Sequence, residues 1–318
     1  MCIRDRYLVE ELPPLPNDTA ASALGVNDSG LVVGASSVAF QRRFHAVLWH
    51  RGRVRALGTL GGNNSTAVAV TNGGAVIGNS DTASGRSHGY LWKRGRMRDL
   101  GSLGGDQSYA RAANDREQVV GDSQTAAGEP HPFLWSRGHM TDLTTWGLVP
   151  YADTAEAVDD HGRVYGRRQM SPGVWHAVRW DRGSFLDLGP AHSWDASVRG
   201  VNHRGVAVGW QVPPGSTDPI THATVWRGVQ STDLGTAGGL FSDAYAVNDH
   251  GQVAGRSSVG AVMHPVTWAG GRLTVLPGLS ASTVAGGAYD VNDAGVIAGA
   301  LDDPDGRSHA VLWRPTRR

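Results

Sequence analysis

The chain of 318 residues has one cysteine, Cys2, and one lysine, Lys93. A single cysteine excludes an internal disulfide, and cysteine-based zinc and redox motifs are absent as well. No run of 18 apolar residues occurs, so the sequence predicts no membrane-spanning helix. Stability must therefore come from the packing of a protein core.

Net charge is also lacking, because 29 basic and 29 acidic residues are spread along the chain. A balanced chain has no basic patch that would attract nucleic acid or an anionic membrane. We therefore expect no nucleic acid partner and no membrane insertion, and we expect a monomer.

The first six residues, Met-Cys-Ile-Arg-Asp-Arg, are not followed by the apolar stretch of a signal peptide. They also match no part of the pattern that fills the rest of the chain. We interpret residues 1–6 as a non-native or disordered segment that replaces a native leader. On that interpretation the protein is extracellular or periplasmic, and otherwise it is cytoplasmic.

What the chain does have is a repeat. A glycine recurs every 43 to 46 residues, and a His-x-x-x-Trp segment follows it each time. The seven glycines are Gly34, Gly78, Gly121, Gly166, Gly209, Gly255 and Gly299. A period of this size is typical of propellers and solenoids.

Each unit contains four short apolar runs separated by turn residues. In the second unit these runs are residues 65–70, 75–80, 88–92 and 97–103. Turns such as Asn-Asp-His-Gly at 248–251 place Asn or Asp first and glycine last, which is typical of β-hairpins. Four antiparallel strands per unit predict a propeller blade. The third unit has Glu117 in place of the turn glycine.

The two ends of the chain predict how the ring closes. The seventh unit stops before its fourth strand, whereas residues 7–13 precede the first unit and resemble the fourth strand at 273–277. An N-terminal strand that completes the last blade would remove an exposed sheet edge. The prediction is therefore an all-β, seven-bladed β-propeller of four-stranded antiparallel blades, forming one domain over residues 7–318.

The repeat unit resembles the bacterial HAF-repeat family. The resemblance rests on Ala-Val-Asn-Asp-His-Gly-Gln-Val-Ala-Gly at 246–255, His-Ala-Val-Leu-Trp at 45–49 and 309–313, and Asp-Leu-Gly-Ser-Leu-Gly-Gly at 99–105. It covers nearly the whole chain. The family is named for a His-Ala-Phe motif, and in this chain the third residue of that motif is phenylalanine only at Phe133. The resemblance implies the repeat fold and an extracellular protein, but it does not identify an active site.

Residues that repeat in every blade are expected to be structural, because catalysis needs one set of groups rather than seven equivalent ones. This applies to the histidine column, to the tryptophan column four residues later, and to the serine of Gly121-Asp122-Ser123, which recurs at Ser36, Ser80 and Ser257. The carboxylates at 302–306 lack the continuation of a twelve-residue calcium loop and predict a solvated turn. The histidines are His45, His88, His131, His176, His222, His264 and His309.

One column of the first strand does not repeat. It runs Leu24, Val68, Arg111, Glu156, Arg199, Tyr245 and Tyr289, and we call it the variable column. If the first strand is innermost, this column lines the channel. Arg111 and Arg199 on either side of Glu156 would bind an anion, and Tyr245 and Tyr289 would donate protons, as in a lyase or cyclase-like enzyme. The alternative is a salt-bridge ring that plugs the channel, with tyrosines filling space.

A second candidate surface lies on the end of the ring that carries the loops from fourth to first and from second to third strands, which we call the loop face. Aromatic residues beside polar ones suit sugars or peptides, and packing between blades is the alternative. The candidates are Trp146, Tyr151, Trp175, His192, Trp194, Asp195, Trp210 and Phe241.

The function most consistent with the sequence is binding of a small molecule, glycan or protein at the loop face and channel mouth. A propeller enzyme of the lyase or cyclase type, acting through the variable column, and a structural or assembly module are the alternatives. We expect no cofactor and no metal.

Overall fold

The computed structural model of the protein describes residues 6–38, 43–149, 153–189 and 193–316. These residues form 28 strands arranged in seven four-stranded antiparallel sheets. A short 3₁₀ helix, η1 (Leu143–Trp146), is the one helix of the described part. The all-β, seven-bladed propeller predicted from the repeat is confirmed.

The strands of the first four blades are β2 (Ala20–Val26), β3 (Val32–Ser37), β4 (Phe44–His50) and β5 (Arg53–Ala56); β6 (Gly61–Val70), β7 (Val76–Thr82), β8 (Ser87–Lys93) and β9 (Arg96–Asp99); β10 (Gly104–Ala113), β11 (Val119–Thr125), β12 (Pro130–Ser136) and β13 (His139–Asp142); and β14 (Asp153–Val158), β15 (Val164–Ser171), β16 (Val174–Asp181) and β17 (Ser184–Asp187).

The strands of the last three blades are β18 (Ala196–Val201), β19 (Val206–Gln211), β20 (His222–Arg227) and β21 (Gln230–Asp233); β22 (Ser242–Val247), β23 (Val253–Val259), β24 (Val262–Ala269) and β25 (Arg272–Val275); and β26 (Ala285–Val291), β27 (Ile297–Asp302), β28 (Ser308–Pro315) and β1 (Tyr7–Glu11).

The ring closes through the N-terminal strand, as the sequence predicts. Strand β1 pairs antiparallel with β28, from Tyr7 opposite Pro315 to Glu11 opposite Val311, and becomes the outermost strand of blade 7. The first strands of neighbouring blades contact one another all round the ring, from β2 through β6 to β26 and back to β2. The first strands are therefore innermost and surround the axis.

The repeated tryptophans form the core between blades. Each of the seven is at most 5% exposed and packs with apolar side chains of an adjacent blade. Trp49 of blade 1, for example, shares a cluster with Ala298 and Leu312 of blade 7. Burial of such a side chain contributes about 1.5–3 kcal/mol, which makes this column the main apolar stabilisation of the ring.

The repeated histidines tie the third strand of a blade to an acid. In six of the seven, Nδ1 lies 2.7 to 3.1 Å from a carboxylate oxygen, usually of an acid on the fourth strand, as in His131 with Asp142. In blade 6 Val275 takes the place of that acid. Because the pairing recurs round the outside of the ring, it supports the structural interpretation of this column.

Every first strand contains a β-bulge at the variable column. Pairing of the first and second strands shifts by one residue between Ala23 and Gly25, and again at the same place in each of the other six blades. The bulge brings a first-strand carbonyl against the repeated glycine of the second strand. A Cβ at Gly34 would lie 1.9 Å from the Ser22 carbonyl oxygen, and the other six glycines are as confined. Glycine therefore recurs at this position of every repeat because the backbones of the first and second strands come too close together for a side chain.

The turn residues join the blades to one another near the axis. The amide nitrogen of Asn27 donates to the carbonyl of Thr71 in the next blade, and Asn114, Asn202, Asn248 and Asn292 do the same at 2.7 to 3.0 Å. We call these seven first-turn positions the asparagine ring: Asn27, Thr71, Asn114, Asp159, Asn202, Asn248 and Asn292. Thr71 and Asp159 have no amide to donate, so the ring is interrupted after blades 2 and 4.

Two substitutions test this ring, and we expect them to change the free energy of unfolding in opposite directions. Asn292→Thr keeps the side-chain oxygen that caps its own turn, as Thr71 does, but removes the bond to the Asn27 carbonyl. We expect it to lower the free energy of unfolding by about 0.5–1.5 kcal/mol, because the Asn27 carbonyl loses one of its two donors and keeps the Gly30 N–H. Thr71→Asn supplies a missing donor and should raise that free energy by about 0.5–1.5 kcal/mol. Chemical denaturation monitored by tryptophan fluorescence measures both, and changes of the same sign would contradict the ring.

Candidate ligand-binding site in the central channel

The bulge separates the variable column from the small residues that pack between blades, although Val68 still contacts a core cluster. The preceding residue of each strand, Ala23 in blade 1, is at most 2% exposed, whereas Arg111 and Arg199 are exposed and the other column members are half-buried. Since these are the innermost strands, the exposed side chains face the axis. The prediction that the column differs from its alanine neighbours is confirmed, although the separation arises from a bulge rather than from simple strand alternation.

The structure divides the column into two polar groups. In the first, the Arg111 Nε lies 2.6 Å from Asp122 Oδ2, and its Nη1 lies 3.3 Å from Glu156 Oε2. Burial raises the pKa of the Asp122 carboxyl in spite of the neighbouring guanidinium. Arg111 is thus neutralised by two acids, so this part of the predicted anion site is a salt-bridge cluster.

The second group brings Arg199, Tyr245 and Tyr289 together from three consecutive blades. The rings of the two tyrosines meet edge to face at 5.5 Å, and the guanidinium of Arg199 lies 5.9 Å from the Tyr245 ring centre. Arg256 also lies over Tyr245, at 5.7 Å, and pairs with Asp243 at 2.9 Å. Aromatic faces and guanidinium groups therefore share one part of the channel.

Several hydrogen-bond donors of this second group are unused. Among the described residues, the hydroxyls of Tyr245 and Tyr289 have no hydrogen bond, and Arg199 has neither a hydrogen bond nor a carboxylate within 4.0 Å. Burial raises the pKa of Tyr245 to about 12 and also raises that of Tyr289. At neutral pH both phenols are protonated and can donate, but they are poor bases.

A second heterogeneous column was not recognised as such in the sequence, although its member Trp210 was predicted for the loop face. It consists of the residue that follows each repeated glycine, and Asp122 and Arg256 are the members that complete the two groups in the channel. The sequence did contain a signal for this column, because a variable residue stands between a glycine that is present in every blade and a serine that recurs in several. The column reads Ala35, Asn79, Asp122, Arg167, Trp210, Arg256 and Ala300.

On the loop face the structure brings some predicted residues together. Arg167 stacks on Trp175 at 4.4 Å and approaches Asp195 Oδ1 at 4.0 Å, while Trp194 donates its ring N–H to the Ser216 carbonyl at 3.1 Å. Trp210 is half-buried on β19.

The remaining loop-face predictions divide in three ways. Phe241 is 40% exposed. Trp146 packs against the core cluster between blades 3 and 4, in agreement with the packing alternative. Tyr151 and His192 lie outside the described residues.

The recurrent serine is buried and has no nucleophile geometry. In blade 1 the Ser36 hydroxyl donates to Asp18 Oδ2 at 2.7 Å, and that same oxygen lies 3.1 Å from His45 Nδ1. A serine nucleophile needs the imidazole next to its hydroxyl, whereas here the acid lies between them. The turn at 302–306 is likewise structural, because Asp303 Oδ1 accepts the amides of Asp305 and Arg307.

At the opposite end from the loop face, the channel opens into a cavity of about 210 Å³. We call this end the turn face, because the turns between first and second strands surround it. The second residue of each turn lines the cavity and forms an aspartate ring, in which a backbone N–H of one blade donates to a side-chain oxygen of the next at five places. The ring consists of Asp28, Asn72, Asp115, Asp160, His203, Asp249 and Asp293.

Asp290 is an unexpected acid in the wall of this cavity. The other six blades have glycine or alanine at its position, as in Gly25 and Ala246. Its two oxygens accept the N–H groups of Val26 and Val291 at 2.8 Å. Burial nevertheless raises its pKa to about 6, and the Asp28 carboxylate acts in the same direction.

Sequence comparison finds no protein-family model that matches the chain and no curated relative. Structural comparison finds propellers. A puromycin-hydrolyzing peptidase from Mycobacterium tuberculosis has a TM-score of 0.62 at 12% identity, covering 95% of this chain and 55% of that one. The acylaminoacyl peptidase from Pyrococcus horikoshii has a TM-score of 0.58 at 9% identity, covering 92% and 51%. TolB from Acinetobacter baumannii has a TM-score of 0.50 at 11% identity, covering 91% and 80%.

These similarities show the fold alone, because all three identities are far below the level at which function transfers. The chain spans about half the length of the two peptidases. The resemblance to the HAF-repeat family stays a resemblance, since no family model matches. No helix in the described part of the chain has the length and apolarity needed to span a bilayer.

The raised pKa of Asp290 predicts a specific dependence of stability on pH. An unfolded Asp has a pKa near 3.9, so between about pH 4 and pH 6 the folded protein retains a proton that the unfolded chain releases. The contribution of Asp290 is fully present below pH 4 and is lost as the pH rises to 6 and beyond. The free energy of unfolding of the wild type relative to Asp290→Ala should therefore fall between pH 4 and pH 7, measured by urea denaturation in EDTA. A difference that is constant or rises over this range would contradict the prediction.

Proposed function

We propose that this propeller binds an acidic sugar, a saccharide that carries a carboxylate, in its central channel. The observation that carries the proposal is the exposed side chain of Arg199, which has no acidic partner among the described residues and lies over the Tyr245 ring. That ring contacts Tyr289, and neither tyrosine hydroxyl has a hydrogen bond in the described part of the chain. A guanidinium with free N–H groups is suited to paired hydrogen bonds with a carboxylate. The tyrosine faces and hydroxyls suit a sugar ring.

The charges around Arg199 support an anionic rather than a neutral ligand. Arg111 is neutralised by Asp122 and Glu156, and Arg256 is paired with Asp243. Of these three arginines, Arg199 is the one that forms no ion pair in the described structure. A carboxylate that enters the channel would meet this charge with aromatic surface on one side, where screening by water is reduced.

Binding is better supported than lyase chemistry at this site. An eliminative lyase needs a base that removes a proton next to a carboxylate. Tyr245 and Tyr289 hold their protons too firmly at neutral pH, and Glu156 is engaged with Arg111. Trp175, Trp194 and Trp210 offer further flat surface toward the loop face for a longer saccharide.

Calorimetric titration with a uronic acid oligosaccharide and its neutral analogue tests the proposal. We expect the wild type to bind the acidic sugar at least tenfold more tightly than the neutral one, because only the acid pairs with the guanidinium. Arg199→Gln should remove that preference, since it keeps most of the side-chain length and loses the charge. A pair of charge-assisted hydrogen bonds is worth about 1.5–3 kcal/mol, or roughly a tenfold to hundredfold change in affinity.

A matched control is Arg55→Gln, which removes the same charge from the outer strand β5, where Arg55 lies over Trp92. This variant should bind like the wild type. Tyr245→Phe and Tyr289→Phe keep the ring contact and remove the hydroxyls, so they should weaken both sugars equally. Equal affinity for acidic and neutral sugars, or a preference that survives Arg199→Gln, would contradict the proposal.

A further inference from the structure

The cavity at the turn face carries an excess of negative charge. Seven aspartates line it, and its lining contains one histidine and no lysine or arginine. The Asp159 carboxylate accepts hydrogen bonds from two groups that do not line the cavity, Arg163 at 2.6 Å and the Tyr165 hydroxyl at 3.1 Å. The aspartates of the ring itself have no such cationic neighbour apart from histidine. A cation at the axis would offset this charge.

His203 is the one residue of the aspartate ring that is neither Asp nor Asn. Its Nε2 lies 3.3 Å from Asp115 Oδ2 and 3.5 Å from Asp160 Oδ2. These separations exceed the 2.7–3.2 Å typical of an N–H···O hydrogen bond. They match the distance of about 3.4 Å between two ligands of a tetrahedral zinc ion with bonds of about 2.1 Å.

The three ligand atoms converge because the rest of each side chain is held elsewhere. Asp115 Oδ1 accepts the Asn72 N–H at 2.7 Å, and Asp160 Oδ1 accepts the Asp115 N–H at 3.1 Å. Both Oδ2 atoms are left to point toward the imidazole. The three atoms lie within 4.8 Å of one another, which is compact enough for one ion.

The other side of the imidazole faces an acid as well. His203 Nδ1 lies 3.5 Å from Asp249 Oδ2, and Asp249 Oδ1 is buried without a hydrogen-bond partner. A carboxylate behind the second ring nitrogen of a metal-bound histidine orients the ring and makes it a stronger ligand. In the neutral imidazole with its proton on Nδ1, on the side of Asp249, Nε2 would be free to bind a metal ion between Asp115 and Asp160.

The location also coincides with a gap between blades. Asp159 provides no side-chain amide to blade 5. Among the described residues, the backbone N–H groups of Asp160 and His203 also lack the bond that joins the other five pairs of blades in the aspartate ring. An ion held by Asp115 of blade 3, Asp160 of blade 4 and His203 of blade 5 would connect three blades at the place where the asparagine ring and the aspartate ring are both interrupted.

We propose that the turn-face mouth binds one divalent transition-metal ion, of the zinc class, through Asp115 Oδ2, Asp160 Oδ2 and His203 Nε2. One nitrogen and two carboxylate oxygens suit zinc better than calcium or magnesium, which take oxygen ligands. The side chain of His203 is 44% exposed at the mouth. The fourth coordination position is therefore open to water from the solvent.

Titration of the EDTA-treated, dialysed protein with Zn²⁺, Ca²⁺ and Mg²⁺ tests the site. We expect one Zn²⁺ per chain in 0.5 M NaCl, a melting temperature that rises with Zn²⁺, and Ca²⁺ or Mg²⁺ affinity at least tenfold weaker. His203→Asn places in blade 5 the residue that blade 2 has at Asn72, so the turn is preserved while the imidazole is lost. This variant and Asp160→Asn should each bind Zn²⁺ at least tenfold more weakly.

The matched control is Asp28→Asn. It removes one negative charge from the same ring, at the aspartate that forms no ion pair with a histidine in the described structure. It should bind Zn²⁺ like the wild type, whereas an equal loss in Asp28→Asn and His203→Asn would mean diffuse attraction and overturn the site. Co²⁺ provides a second readout, because a nitrogen ligand in a tetrahedral site gives a visible absorption band that His203→Asn should abolish. Absence of that band in the wild type, or unchanged Zn²⁺ affinity in His203→Asn, would also overturn it. Circular dichroism of the variants confirms the fold.

Discussion

The close contact between a first-strand bulge and a second-strand glycine is the constraint on which the rest of the propeller depends. No side chain fits at Gly34 or its six equivalents, because a carbonyl oxygen occupies the place of the Cβ. The contact lets each innermost strand bend and adds local twist, as bulges do. It also separates a small residue that packs between blades from the next residue, which faces the channel. Packing and channel chemistry are thereby assigned to adjacent positions of the same strand.

The chemistry of the channel changes along its axis. Arginine and tyrosine from blades 5 to 7 line the wall at the level of the bulge, and aspartates surround the mouth four residues further along the chain in each blade. At about 3.3 Å per residue this separates the two regions by up to roughly 13 Å, more than a Debye length in physiological salt. The proposed anion site and the proposed cation site would therefore be separate, and occupancy of one would have little direct electrostatic effect on the other.

The blade architecture and the closure by β1 were predictable because the same residues recur seven times and each has one structural role. The tryptophans are buried and the histidines meet acids in nearly every blade. The turn residues were predicted less completely. Asn27 and Asp28 are sufficient to explain a turn locally, so nothing in one repeat reveals that seven such turns meet at an axis and bond to one another. Asp290 depends on a bond to Val26 of the neighbouring blade, which no single repeat contains. The pairing of Arg111 with Asp122 lies within one blade, but it depends on the register of two strands.

The bulged residues also have a consequence for how such a chain diversifies. A bulged residue lies opposite no partner on the second strand, and leucine, valine, arginine, glutamate and tyrosine all occur at this one position. Seven such positions surround a common axis, and each lies in a separately encoded repeat. New binding specificities can therefore accumulate one blade at a time, and duplication of a repeat copies the scaffold without copying the site.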